Sequence, residues 1–147
     1  MQIVTRLISM SRSIKLNRQL REVEKTIHAL PLNVRKQLAE LTLKELTTAS
    51  KCEFPHLYGT PVEQQRYQLW GAGTDIGFAR MKSENPVVRI RGIALWFTVA
   101  YHETKESPYA EIQNVQRQLM RILRELKDAI KSTSPAQEIN QWLTTAA

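Results

Sequence analysis

A chain of 147 residues with 42% apolar and 24% charged residues suits one folded domain with its own core and excludes disorder as the main state. A single cysteine, Cys52, excludes an internal disulfide framework and any multi-cysteine zinc site, and it makes a reducing, cytoplasmic setting the simplest expectation. The formal charge of +7 is concentrated at one end: residues 1–36 hold eight Lys or Arg against two Glu, a net of +6, and residues 37–147 hold thirteen against twelve, a net of +1.

Helix one is expected over about residues 3–29, where Leu16, Leu20, Val23, Ile27 and Leu30 recur at steps of four and three. Ile3, Val4, Leu7 and Ile8 form an earlier stripe. Ser9, Ser11 and Ser13 weaken the middle, so residues 1–12 are a candidate separate basic arm, and Pro31 ends or kinks the helix. Helix two, about 32–50, carries Val34, Leu38 and Leu41 on one face, Leu43 on the opposite side and Leu46 between, as in a central helix or a contact surface. Residues 51–60 read as a loop. Helix three, about 61–82, contains Gly71, Gly73 and Gly77, which mark either a break near 71–75 or the close approach of another helix. Helix four, about 86–104, is apolar on nearly all sides from Ile93 to Tyr101 and is the expected core helix. Helix five, about 108–131, shows a heptad seam of Ile112, Val115, Leu119, Ile122, Leu126 and Ala129. A short last helix with Ile139, Trp142 and Leu143 is expected within 132–147.

Four polar-proline pairs, Thr60-Pro61, Asn85-Pro86, Ser107-Pro108 and Ser134-Pro135, mark helix starts, because the polar side chain caps the first turn and proline suits the first helical position. The predicted fold is all-α: a single-domain antiparallel bundle over 1–147, with about five helices plus the short C-terminal one. The longest apolar run, Gly92 to Tyr101, falls far short of the ~20 residues of a membrane span.

The motifs that could carry chemistry each fail on a specific point. His102-Glu103 begins a zinc-protease pattern, but position 106 is Glu where the second His ligand would stand. Cys52 and His56 lie four apart with no further Cys or His cluster, so a packed thiol beside a surface histidine is the better reading. The segment Gly71 to Gly77 matches neither the dinucleotide nor the phosphate-loop spacing, and no strand precedes it. Trp70, Trp96 and Trp142 sit in apolar contexts that indicate core packing. No catalytic residue, metal site or cofactor is expected, and the chain is not expected to be an enzyme.

Charge gives the binding candidates. Arg6, Arg12, Lys15, Arg18, Arg21 and Lys25 of the first helix form a cationic set, and Arg89 and Arg91 sit just inside helix four, where the helix terminus favours anions. Arg117, Arg121, Arg124, Lys127 and Lys131 are interspersed with Glu125 and Asp128 and read as a mixed solvated face. The small basic helical outline is similar to the accessory proteins of diversity-generating retroelements, which support a reverse transcriptase; the likeness is one of shape and charge and implies no site residue. The first expectation is a regulatory or adaptor protein whose helices dock a protein partner. The alternative is an accessory protein that binds RNA or DNA through its N-terminal cations. Residues 1–25 also fit a transit peptide or a surface-lying amphipathic helix, and self-association is a further option.

Overall fold

The computed structural model describes residues 2–51 and 62–132. They form five helices, α1 Gln2–Ala29, α2 Leu32–Lys51, α3 Val62–Met81, α4 Pro86–Glu106 and α5 Ala110–Ser132. No strand occurs among the described residues. The expected loop beyond Lys51, the Thr60-Pro61 and Ser134-Pro135 starts, Cys52, His56 and the short last helix lie outside them.

The boundaries follow local chemistry. At the end of α1 the Leu30 N–H donates to the Ile27 carbonyl at 3.1 Å, and Arg35 Nε of α2 donates to the Leu30 carbonyl at 3.0 Å. An orphan carbonyl at one helix end is thus satisfied from the next helix. Asn85 caps α4 as its sequence suggests: its side-chain oxygen accepts from Val87 N at 3.0 Å and Val88 N at 3.4 Å, with Pro86 in the first turn. Ser107-Pro108 behaves differently from the expectation. Ser107 closes α4, its hydroxyl accepts from Tyr109 N at 3.2 Å, and α5 starts only at Ala110 because the Tyr109 carbonyl takes the first backbone bonds, from Ile112 and Gln113.

The short connections after α3 and α4 let α3 pack on α4 and α4 on α5, within the all-α bundle read from the sequence. Helices α1 and α5 share a direction. Four contacts in step link α1 to α5 in parallel: Ser9 with Glu111 at 3.0 Å, Asn17 with Gln118 at 3.4 Å, Glu24 with Arg121 at 2.7 Å and His28 with Glu125 at 3.2 Å. Helix α4 is the central element, with Ile93, Ala94, Trp96, Phe97 and Ala100 all buried. Around it stand the predicted seams, Leu16 to Leu30 of α1 and Ile112 to Leu126 of α5, each large side chain contributing about 1.5–3 kcal/mol on burial. The two apolar sides of α2 pack against α4 and α5, so Leu43 and Leu46 belong to the edge of the core.

Two alternatives that the sequence leaves open take one form in the described residues. Residues 1–12 form no separate arm within the described chain: α1 is unbroken from Gln2, and the side chains of Ser9, Arg12 and Ser13 are buried at contacts with the neighbouring helices. The serines that weaken the apolar pattern are polar groups of an inward face. Helix α3 likewise continues through residues 71–75. Its glycines serve close approach instead: a methyl on Gly77 would stand 2.6 Å from the Trp96 backbone nitrogen, and one on Gly92 would stand 2.6 Å from Met81 N and Arg80 Cβ. The two glycines lie on opposite sides of one crossing. Gly77→Ala or Gly92→Ala must push α3 and α4 apart and is expected to destabilise by about 1–3 kcal/mol. At Gly71 the nearest atom to an added methyl is Arg12 Nη1 at 3.7 Å, so Gly71→Ala should instead add up to about 1 kcal/mol from helix propensity. Urea unfolding of the three variants checks the opposite signs.

Candidate functional site

The cations of α1 divide according to the side of the helix they occupy. Arg12 points inward. Its Nε donates to Glu103 Oε2 at 3.0 Å and its Nη2 to Glu103 Oε1 at 2.5 Å, while Thr74 Oγ1 lies 3.4 Å from Nη2. Glu103 is fully buried and Arg12 nearly so. The pair is bidentate, the strongest arrangement open to a carboxylate and a guanidinium, and it joins α1, α3 and α4. One turn on, Lys15 Nζ stands 2.8 and 2.9 Å from the two Asp75 oxygens, and Gln19 Nε2 donates to Asp75 Oδ1 at 3.1 Å. Gln19 Oε1 in turn accepts the Trp96 indole N–H at 2.8 Å. Burial acts to raise the Asp75 pKa, but the Lys15 and Gln19 hydrogen bonds and the nearby Arg12 charge outweigh it, and its carboxyl sits below the usual range.

This network corrects two members of the cationic set. Arg12 is a core ion-pair residue with no surface to offer a phosphate, and the Lys15 charge is matched by Asp75. The sequence could not show this: Glu103 is 91 positions from Arg12 and was legible only as part of an incomplete zinc pattern.

The opposite side of α1 is open. Leu7 and Ile14 are each 61% exposed and Met10 is 48% exposed. Arg18, Arg21 and Lys25 are exposed too, and among the described residues none of the three forms an ion pair. Positions 7, 10, 14, 18, 21 and 25 follow one another by steps of three or four, which keeps them on one helix side. They make a single stripe, apolar in its first half and basic in its second. Of the neighbouring acids, Glu24 bonds Arg121, and Glu22 lines a cleft of about 390 Å³ with Thr26, Lys82 and Arg89. Met10 and Ile14 escaped the sequence reading, although their spacing from Leu7 was present there. The side chain of Arg6 lies outside the described residues.

Arg89 and Arg91 do not join this stripe. Arg89 Nε donates to the Ser83 carbonyl at 3.1 Å and secures the turn into α4. Arg91 faces α2, where burial raises the Glu45 pKa while the Thr98 hydroxyl and the Arg91 charge oppose the rise. A second cleft, about 280 Å³, has Leu43, Leu46, Tyr101 and Leu123 in its walls with Lys105 and Lys127 beside them. His102 lines it too, and burial, helped by the Lys105 charge, lowers its pKa so that the imidazole is neutral. Among the described residues no group of three or more His, Cys, Asp or Glu could hold a metal ion, and no helix is long and apolar enough to cross a membrane. Compared with known proteins, the chain matches no family model, no curated protein and no solved structure.

Removing one partner of the buried pair leaves an uncompensated charge. Arg12→Met or Glu103→Leu alone should cost about 3–5 kcal/mol, and the double variant should recover most of that, because an apolar pair of similar volume removes both desolvation penalties. Denaturant unfolding of the three variants checks it, and a double variant as unstable as the sum of its parts would contradict it. The raised Glu45 pKa means that its ionised form weakens the folded state. That contribution is most favourable below the ordinary carboxylate range and is lost as pH rises through the raised value. Glu45→Gln should therefore raise the melting temperature at neutral pH and leave it unchanged in acid, as a thermal scan at the two pH values would show.

Proposed function

We propose that this chain is a non-enzymatic adaptor or regulatory protein that docks a protein partner on the outward side of α1. The observation that supports this is the exposure of Leu7, Met10 and Ile14 together, in register on one helix whose inner face is already packed. A single exposed leucine means little, whereas a contiguous apolar row bordered by charge is the usual form of an interaction surface. The two-sided α2 and the α5 seam lend no support, since both are occupied within the bundle.

The second reading, an RNA- or DNA-binding accessory protein, draws on the three unpaired cations that continue the row. Its cationic set is now Arg18, Arg21 and Lys25, without Arg12 or Lys15. The test is capture from native lysate with tagged full-length chain, with and without nuclease, using the parent, Leu7→Ser/Ile14→Ser and Arg18→Glu/Arg21→Glu/Lys25→Glu. Every changed side chain is exposed, so the melting temperature should not move. A protein partner that survives nuclease and falls by roughly tenfold or more in the serine variant is expected, as loss of two anchors of about 1–2 kcal/mol each would give. Capture that depends on nucleic acid and ignores the serine substitutions would instead establish the second reading.

A further inference from the structure

We infer that the stripe on α1 takes one α-helix of a partner protein, with apolar residues of that helix on Leu7, Met10 and Ile14 and a cluster of Asp or Glu residues on Arg18, Arg21 and Lys25. This inference rests on the adaptor reading and names the chemistry of its partner.

The carrying observation is that apolar and cationic residues are separated along the helix axis and share one side. Leu7 to Lys25 spans five turns, about 27 Å at 1.5 Å per residue, which is the length of a helix of ~18–20 residues. The first two turns offer hydrophobic anchors. The next two to three offer cations with no acid at a stripe position, because Glu24 bonds Arg121 and Glu22 lies on the flank, lining the cleft with Thr26, Lys82 and Arg89. Helix-in-groove recognition reads anchors at spacings of three and four, and complementary charge sets the register and speeds encounter.

The other occupants fit less well for physical reasons. A helix lying on a membrane carries its apolar stripe along its whole length with cations at the sides, where they reach the headgroups. Here Arg18 and Arg21 occupy the very line that would enter the lipid. The helix cannot rotate to avoid this, because the Arg12–Glu103 pair and the Lys15–Asp75 pair hold its other side. A nucleic acid would engage the cations and gain nothing from three exposed apolar side chains. A parallel second copy would place cation on cation. An antiparallel copy would match only the apolar half, and three side chains fall well short of the ~800 Å² per partner of a stable interface.

The test is photo-cross-linking of the full-length chain in its host cells, with p-benzoylphenylalanine replacing Met10, Arg21 or Val87 in turn, followed by nuclease treatment and sequencing of the cross-linked peptides. Val87 is exposed on α4 and serves as the probe of a different surface. The expected result is that the Met10 and Arg21 probes join the same segment of one protein, with apolar residues at the Met10 attachment and acids within about one turn of the Arg21 attachment. The Arg18→Glu/Lys25→Glu change should cut the Met10 adduct by roughly tenfold, whereas Arg18→Lys/Lys25→Arg should keep it. Lipid or nucleic-acid adducts, cross-links to a second copy, a partner segment without acids, or no adduct at either α1 position would each overturn the inference. A partner segment without acids joined at the α1 positions would leave the adaptor reading standing, whereas a protein captured from Val87 alone, or no protein adduct at any of the three positions, would remove both.

Discussion

Much of this structure depends on a salt bridge that lies almost wholly buried. Arg12 and Glu103 are held in a bidentate pair between the first and fourth helices, with the Thr74 hydroxyl beside the guanidinium. An apolar seam such as Leu16, Leu20, Val23 and Ile27 is tolerant, because a helix can slide or roll by part of a turn and still bury most of its area. A forked pair with two directional bonds is not tolerant. It sets how far α1 is inserted and how it is rotated about its own axis. The pair adds little net stability over an apolar substitute, so its main consequence is positional. Lys15, Asp75, Gln19 and Trp96 extend the same control by one further turn.

That rotation decides which residues face outward. With Ser9, Arg12 and Ser13 turned in, the N-terminal half of α1 presents Leu7, Met10 and Ile14 to solvent. The functional reading thus stands on a buried contact as much as on the exposed residues themselves. It also explains how one helix can hold polar residues inside and apolar residues outside without conflict. The polar ones find specific partners on α3, α4 and α5, and the apolar ones are left on the only side that has no neighbour among the described helices.

The legible part of the fold was the part governed by short-range rules. Asn85-Pro86 announces a helix start because cap and proline act within one turn, and the seams of α1 and α5 are visible because burial on one side of a helix repeats every three to four residues. Properties that need a distant partner were not legible. Nothing near Arg12 distinguishes it from Arg18, yet one is buried against Glu103 and the other is exposed. The glycines of α3 left a break and a close approach both open, because the choice at Gly77 lies in Gly92 and Trp96 on another helix. Leu7 was legible only as part of an apolar stripe, because an apolar residue beside Ile8 gives no indication of whether a neighbour will cover it. The candidate stripe could have been found by following the spacing from Leu7 through Met10 and Ile14 to Arg18, but only the three-dimensional arrangement shows that this side is uncovered.

The parallel pairing of α1 with α5 has a temporal side. Their linking contacts join residues 97 to 102 positions apart, so α1 waits for α5 during synthesis. At about 5–20 residues per second, the ribosome takes on the order of 5–20 seconds to close that gap. Throughout that interval Leu16, Leu20, Val23 and Ile27 lack part of their native cover, and loop closure over such a distance is among the slower steps of small-protein folding. The nascent chain is therefore vulnerable at α1 until α5 arrives and covers the apolar strip that the two helices share.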